Sequence, residues 1–518
     1  MTTVIEHLPT DIKTLQTIVL SKQLLLKEKE SEIEKLKSHN QFLLEQFRLA
    51  QQRQFAKSSE AHLGQGELFN EAEVELDQVD TTESETETQA YTRNKPTRKA
   101  LPKDLPRELM VHDLCDADKI CACCGDTLHK MGEDKSEQLA FIPAQIKVIE
   151  HVRLKYSCRH CEQHAEKTPI KIAALPSTPI PKSMATPSLL SQIITSKYQY
   201  ALPLYRQEQM FKQHQIELNR KTMADWMLKC ATLFKPIIEH WHAQLLAQAV
   251  IQADETTLRV LGEDKAQCYI WLYCTGADSP TTNDLPNIVL YDYQNNRSGQ
   301  CPKNFLSNYS GYLQVDGYVA YEQTAAKLAG CWAHARRKFA EVQKMQGKPK
   351  TGKAYWALNH IQKLYHLESE IKAMSAEEKQ RVREEQAAPL LAQYKAWLDK
   401  TIEQVPPKSA LGKAIAYSLN QWPKLNRYTE SGHLNIDNNR AERAIKPFVI
   451  GRKNWLFANT RSGAQASAAL YSIIETAKAN GLIPYDYIMH CLTELPKNNQ
   501  DIERLMPWNV EVRKDIKV

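Results

Sequence analysis

Apolar residues recur every seven positions at Val19, Leu26 and Ile33, the register runs on through Asn40 to Phe47, and Leu36 and Leu43 fill the alternate seam. A heptad pattern with charged flanks predicts a coiled coil over 1–58, with Asn40 as a register-setting polar residue and Lys22 and Lys29 interrupting the early seam. A second copy of the chain is the preferred partner for this stripe; folding back on another domain is the alternative. Residues 59–113 break the pattern. They are acidic at first, then basic and proline-broken ("RNKPTRKALPKDLPREL"), which predicts a disordered linker whose basic part is either an arm along phosphates or a charged spacer.

Helical periodicity returns from Ser188 to Phe234 in several short amphipathic pieces, with Asn219 or Thr222 placed to cap the last. This helical region, 171–245, fits either ordinary packing or a helix-turn-helix unit for DNA. From Ala249 the pattern changes to short β-rich runs: "AVIQADET", "QCYIWLYCT" and "NIVLYDY". A helical "RSGQCPKNFLSNYS" follows, then strands in "GYLQVDGY" and "KLAGCWAH". Three successive strands, a helix and further strands predict a mixed α/β core over 246–345. Helical sequence from Ala335 to Asn426 predicts an insertion over 346–434. The core resumes over 435–460, and 461–518 reads as a C-terminal helical tail. In "IDNNRAERAIKPF", Asp437 as N-cap and Pro447 as stop predict a helix of about two turns.

Composition narrows the class. A chain of 518 residues, 42% hydrophobic and 25% charged, is a multidomain globular protein. No run approaches a membrane span and the N-terminus lacks a leader pattern, so the cytoplasm is the expected compartment and no membrane partner is expected. Net charge is +6, yet nine acidic and no basic residues fall between Glu67 and Glu87, so the rest carries +15. A basic body fits a polyanionic partner, nucleic acid first.

Two clusters carry chemistry. Cys121 and Cys124 form one C-x2-C pair, and Cys158 and Cys161 a second, with 33 residues between them. Two such knuckles complete a tetrahedral structural zinc site, predicting a zinc-binding ribbon over 114–170. Cys123, His160 and His164 are neighbouring alternatives. The second cluster is acidic: Asp254 follows "AVIQA", Asp316 follows "YLQV", and Glu442 projects from the short helix. Two strand-borne carboxylates and one from a helix suit a pair of hard divalent cations, which support in-line attack on a phosphodiester. Singly, each has an ordinary explanation: a strand-end cap, an Asp-Gly turn, an ion pair with Arg440 or Lys446.

The stretches "CACCG", "SKYQYALPLYRQEQMF", "ADETTLRVL", "LQVDGYVAY", "GCWAHARRKF" and "DNNRAERAIKPFVIGRKNWLFANTRSGAQASAALYSIIETAKANGL" resemble transposases of insertion-sequence family 66. The resemblance implies a DDE-class catalytic domain of ribonuclease-H-like fold, with Asp254, Asp316 and Glu442 as catalytic residues holding two Mg2+ (or Mn2+) ions. It implies that the chain cleaves and joins DNA at the terminal inverted repeats of its element and in target DNA. Oligomerisation through the coiled coil, accessory proteins of the same element and a bacterial, nucleoid-associated location are further expectations. The 126 positions from Asp316 to Glu442 then hold the family's helical insertion. Arg440, Arg443, Lys446, Arg452 and Lys453 become candidate phosphate ligands. Cys331, His334 and Asn438 become accessory residues, with Asn438 one turn before Glu442. A non-catalytic zinc-dependent DNA-binding regulator and a nuclease that cuts without joining remain alternatives.

Overall fold

The structure is a computed structural model. It describes residues 11–14, 16–17, 19–30, 32–33, 36, 43, 109–110, 131, 146–157, 170–265, 267–276, 286–347, 351–497 and 501–510. The chain divides into two compact units, Met1–Thr82 with Ser177–Val518, and Glu83–Pro176. Of the predicted coiled coil, the described residues from 12 to 43 are helical. Val19, Leu26, Ile33, Leu36 and Leu43 are all at least half exposed on that helix. Asn40 and Phe47 lie outside the described residues, as does the linker apart from 109–110.

In the smaller unit, strand β1 (Lys155–Ser157) pairs antiparallel with β2 (Ile170–Ile172). The strand β1 ends immediately before Cys158. The four predicted zinc ligands, with Cys123, His160 and His164, lie outside the described residues.

From Ser177 onward the larger unit opens with helices α1 (Pro187–Tyr198), α2 (Leu204–Gln213) and α3 (Arg220–Leu246). Asn219 caps α3, its Oδ1 accepting from the Thr222 N–H at 2.8 Å. A five-stranded sheet follows: β3 (Val250–Leu258), β4 (Cys268–Cys274), β5 (Val289–Gln294), β6 (Tyr312–Gln314) and β7 (Lys327–Ala329), with helix α4 (Gln300–Leu306) between β5 and β6. Its strand order is β5-β4-β3-β6-β7. The first three strands are antiparallel neighbours, while β6 and β7 run parallel to β3. Interior strand β4 ("CYIWLYC") is apolar throughout because both of its faces are covered.

Side-chain alternation assigns the faces. Tyr273 stacks on Phe305 of α4 and Trp271 meets Tyr321, so odd positions of β4 face that side. Glu255, opposite Trp271, shares that face, whereas Asp254, opposite Leu272, points to the other. Strand "KLAGCWAH" stops at Ala329. Cys331 is already the N-cap of helix α5 (Trp332–Met345).

A second apolar core joins α5 to the insertion, which supplies α6 (Lys353–Glu370), α7 (Ala376–Val382), a π-helical turn at Arg383–Ala387, α8 (Ala388–Ile402), α9 (Ala410–Asn420) and α10 (Trp422–Asn426). Arg383 sits inside it, 2% exposed.

The helix carrying Glu442 is longer than its sequence predicts. Helix α11 spans Asn439–Trp455, 17 residues, with Pro447 inside it. Proline there removes the bond to the Arg443 carbonyl. Burial of Ala441, Ala444, Ile445, Phe448 and Val449 carries the helix past that loss. Its N-cap is Asn438, not Asp437; Asp437 Oδ1 accepts from the Asn439 N–H at 3.1 Å.

The predicted C-terminal tail is core. Helix α12 (Arg461–Ala479) lies along edge strand β5, and helix α13 (Pro484–Glu494) packs behind it against α1. Ser472 Oγ accepts from the Tyr291 N–H at 2.9 Å, and Thr476 Oγ1 accepts from the Val289 N–H and donates to its carbonyl, both at 3.0 Å. Hydroxyls from a helix thus satisfy a strand edge that water or another strand would otherwise pair.

Candidate active site

Asp254 is not at a strand end, as its sequence context predicts, but fifth of nine residues in β3. The ladder between β3 and β6 nevertheless stops at the pair Gln252 and Gln314, because β6 is three residues long. Asp254 and Asp316 each lie two residues beyond that pair, on neighbouring parallel strand lines and on the same face. The short partner strand therefore opens the flank of β3 beside Asp254. Asp254 Oδ1 accepts from the Glu255 N–H at 2.8 Å, and Asp316 Oδ1 accepts from the Tyr318 N–H at 2.9 Å. The Tyr417 hydroxyl of α9 bonds the Asp316 carbonyl at 2.9 Å, tying the insertion to this turn. Gly317 closes the turn with φ +96°, a conformation open to glycine.

Helix α11 starts over the same face, and three side chains dock it. Asn438 Nδ2 donates to the Ala253 carbonyl at 2.9 Å, one residue before Asp254. Gln252 Oε1 accepts from the Ala441 N–H at 3.4 Å, while its Nε2 donates to Gln314 Oε1 at 3.2 Å. Gln314 Nε2 in turn donates to the Asn435 carbonyl at 2.5 Å. Both glutamines are buried. Sequence reasoning missed them, although a signal is present: the same Gln-x-Asp step occurs in "VIQAD" and "YLQVD".

The site is electrostatically crowded. Burial pushes the Asp254 carboxyl well above its ordinary range, and the charges of Glu255, Glu442 and Asp316 add to the rise. Burial also pushes Glu442 up to about 8; Arg337 and Arg443 oppose the rise, while Asp437 and Asp316 reinforce it. Arg337, on α5, is a third residue that the sequence pattern did not single out. Glu442 is 4% exposed, and its Oε1 has no hydrogen-bond partner. Converging carboxylates with an orphaned buried oxygen fit hard divalent cations, which restore the missing charge and ligand contacts. The residues that would hold them are Asp254, Asp316 and Glu442.

The ligand atoms that lie within 4.8 Å of one another, among the described residues, are those of Cys331, His334 and Glu442; the two aspartates stand outside that group. Cys331 is buried beside the helix start, its Sγ accepting from the Asn438 N–H at 3.3 Å. Burial lowers His334 to about 4, helped by Arg337 and Lys338 and opposed by Asp316.

Glu255, on the opposite face, is a structural acid. The Tyr321 hydroxyl donates to it at 2.6 Å and Arg297 Nε at 3.1 Å, and Arg297 lies 3.7 Å from the Tyr318 ring centre. Of the five candidate phosphate ligands, Lys446 and Lys453 are exposed and Arg443 is half-buried. Arg440 is buried. Arg452 is engaged with β3, its Nη1 donating to Thr257 Oγ1 at 2.8 Å and to the Thr257 carbonyl.

No described helix is long and apolar enough to cross a membrane. The family model "Transposase IS66 family" matches residues 182–466, and "zinc-finger binding domain of transposase IS66" matches 118–162, which points to zinc. "IS66 C-terminal element" covers 472–508 and "Transposase C of IS166 homeodomain" covers 43–109. The chain is 35% identical to the uncharacterized protein y4jD of Sinorhizobium fredii (strain NBRC 101917 / NGR234) over 79% of its own length and 81% of that protein's. It is 32% identical to the uncharacterized protein y4hP of the same strain, over 85% and 84% respectively. The matches run from the N-terminal segment through the zinc-finger region and the sheet to the helices along its edge, and the chain belongs to the IS66 transposase family.

Proposed function

We propose that the chain is a DDE-type DNA transposase that cuts DNA at the ends of its insertion element and joins the freed ends to target DNA. The observation that carries this reading is the placement of Asp254 and Asp316 side by side beyond the Gln252–Gln314 pair, with Glu442 delivered above them by α11. Three antiparallel strands followed by two parallel ones, in the order β5-β4-β3-β6-β7, support a ribonuclease-H-like core.

Asp254, Asp316 and Glu442 hold two divalent ions, Mg2+ or Mn2+. The chemistry these supply when bound is a lowered pKa for the attacking hydroxyl and charge stabilisation at the leaving oxygen. Asn438 and the glutamine pair fix where Glu442 stands, and Lys446 and Lys453 hold phosphates from the exposed side of α11. Water attack on the phosphodiester leaves a 3′-hydroxyl and a 5′-phosphate. That hydroxyl then displaces an oxygen at a target phosphodiester, so one bond forms for each broken and no covalent protein intermediate is needed. Cys121, Cys124, Cys158 and Cys161 hold structural zinc in the ribbon. The exposed heptad seam of the N-terminal helix pairs two copies, which synapsis of two DNA ends requires.

The test is the full-length chain, stripped of hard metals by dialysis, with labelled DNA bearing the ends of its element and a target plasmid. Adding Mg2+ gives 3′-end cleavage and joined products with the native chain and neither with Asp316→Asn. Cleavage that survives Asp316→Asn overturns the assignment, and cutting without joining makes the chain a nuclease.

A further inference from the structure

Cys331, His334 and Glu442 form a compact trio at the start of two helices, and the reaction proposed above uses only the glutamate. Cys331 is the N-cap of α5 and His334 stands three residues on, so one helical turn presents both to Glu442. His334 Nδ1 and Glu442 Oε1 are 3.4 Å apart, and neither has a hydrogen-bond partner. Two buried polar atoms facing each other unsatisfied are costly, which asks for something between them.

We infer that Cys331, His334 and Glu442 are a second cation site, selective for zinc-class ions, whose occupation withdraws Glu442 from the hard-metal pair and switches off DNA cleavage. Sulfur and imidazole ligands prefer Zn2+ to Mg2+, whereas two aspartates and a glutamate prefer the reverse. The dimensions agree. Around a tetrahedral zinc with ordinary bond lengths, neighbouring N, O and S ligand atoms stand about 3.4 to 3.6 Å apart. The His334–Glu442 spacing is already 3.4 Å, and all three ligand atoms lie within 4.8 Å of one another, so the sulfur needs to close by at most about 1.3 Å to complete the set. Burial, with Glu442 and Asp437 beside it, holds the Cys331 thiol well above its ordinary range, so a bound zinc-class ion displaces its proton, and the Asn438 N–H that the sulfur accepts remains usable by a metal-bound sulfur. A fourth position is left for water, as in zinc sites that are not purely structural.

The consequence for cleavage rests on the transposase reading; the binding itself does not. The full-length chain is therefore loaded with Co2+ as a spectroscopic stand-in for zinc and compared with Cys331→Ser and with His334→Gln. The ribbon cysteines are present in all three and cancel in the difference. The native chain is expected to take up an additional equivalent of cobalt and to show additional thiolate-to-metal absorption, both lost in Cys331→Ser and the uptake weakened at least tenfold in His334→Gln. Circular dichroism confirms that each variant is folded. In a second arm, zinc is titrated against end cleavage at fixed excess Mg2+, and the half-inhibiting concentration is expected to rise at least tenfold in the Cys331 variant. Equal cobalt uptake and identical spectra in folded variants overturn the site, and leave His334 and Glu442 sharing a proton instead. Normal cobalt uptake without zinc inhibition overturns the switch.

Discussion

Arg383 offers the sharpest test of how the insertion is joined to the helix that carries Glu442. Its Nε and Nη2 grip both carboxylate oxygens of Glu368 at 2.8 and 2.6 Å, Nη1 donates to the carbonyls of Tyr428 and Ser431 at 3.0 and 2.8 Å, and Nη2 also reaches the Leu434 carbonyl at 2.9 Å. All five donors of the guanidinium are used. The three carbonyls belong to the segment that leads into Asn438 and α11. Arg383→Met keeps the volume and removes every one of these bonds. It strands Glu368, whose side chain is 13% exposed, and leaves three carbonyls to find water. Removing one partner of a buried ion pair costs about 3 to 5 kcal/mol, and the orphaned carbonyls place the expected loss at the upper end of that range. Urea unfolding followed by tryptophan fluorescence measures it. Adding Glu368→Met is expected to return about 2 kcal/mol, because the stranded charge is gone while the carbonyls stay unpaired. A loss under about 1 kcal/mol for Arg383→Met, or no recovery in the double variant, would refute this reasoning.

Other outcomes follow from the same structure. Gln314→Leu orphans the Gln252 amide and the Asn435 carbonyl; it is expected to cost about 2 to 3 kcal/mol in unfolding experiments and to lower kcat with little change in KM. Lys446→Ala and Lys453→Ala are each expected to reduce the salt dependence of DNA binding by about one phosphate contact, read from binding isotherms across ionic strength. Arg452→Ala, by contrast, is expected to lower stability and leave that slope unchanged, since its Nη1 bonds β3. Burial raises Asp292 to about 6 from its ordinary 3.8, so its contribution is complete below pH 3.8 and is lost as pH rises through 6. Asp292→Asn is therefore expected to be more stable than the native chain by about 2 to 3 kcal/mol at pH 8 and indistinguishable at pH 3.5; parallel denaturation curves at both values would disprove it.

Sequence alone carried the element types, the order of the strands along the chain and the family. Those features are local: a period of two in "AVIQADET", a period of seven in the first fifty residues, a cap at Asn219. What it misjudged were the places where burial overrides a local rule. Pro447 reads as a stop, yet α11 runs eight residues beyond it because its apolar face is pinned to the sheet. The segment after 460 reads as a tail, yet Ser472 and Thr476 close the edge of β5. Asp254 reads as a strand end, yet it is the shortness of β6, a property of another strand, that leaves its flank open. The Gln252–Gln314 pair, Arg337, and the approach of Cys331 and His334 to Glu442 join residues between 62 and 111 positions apart or set them in one field. No periodicity encodes such meetings; they exist once the sheet has paired and the helices have buried their apolar faces against it.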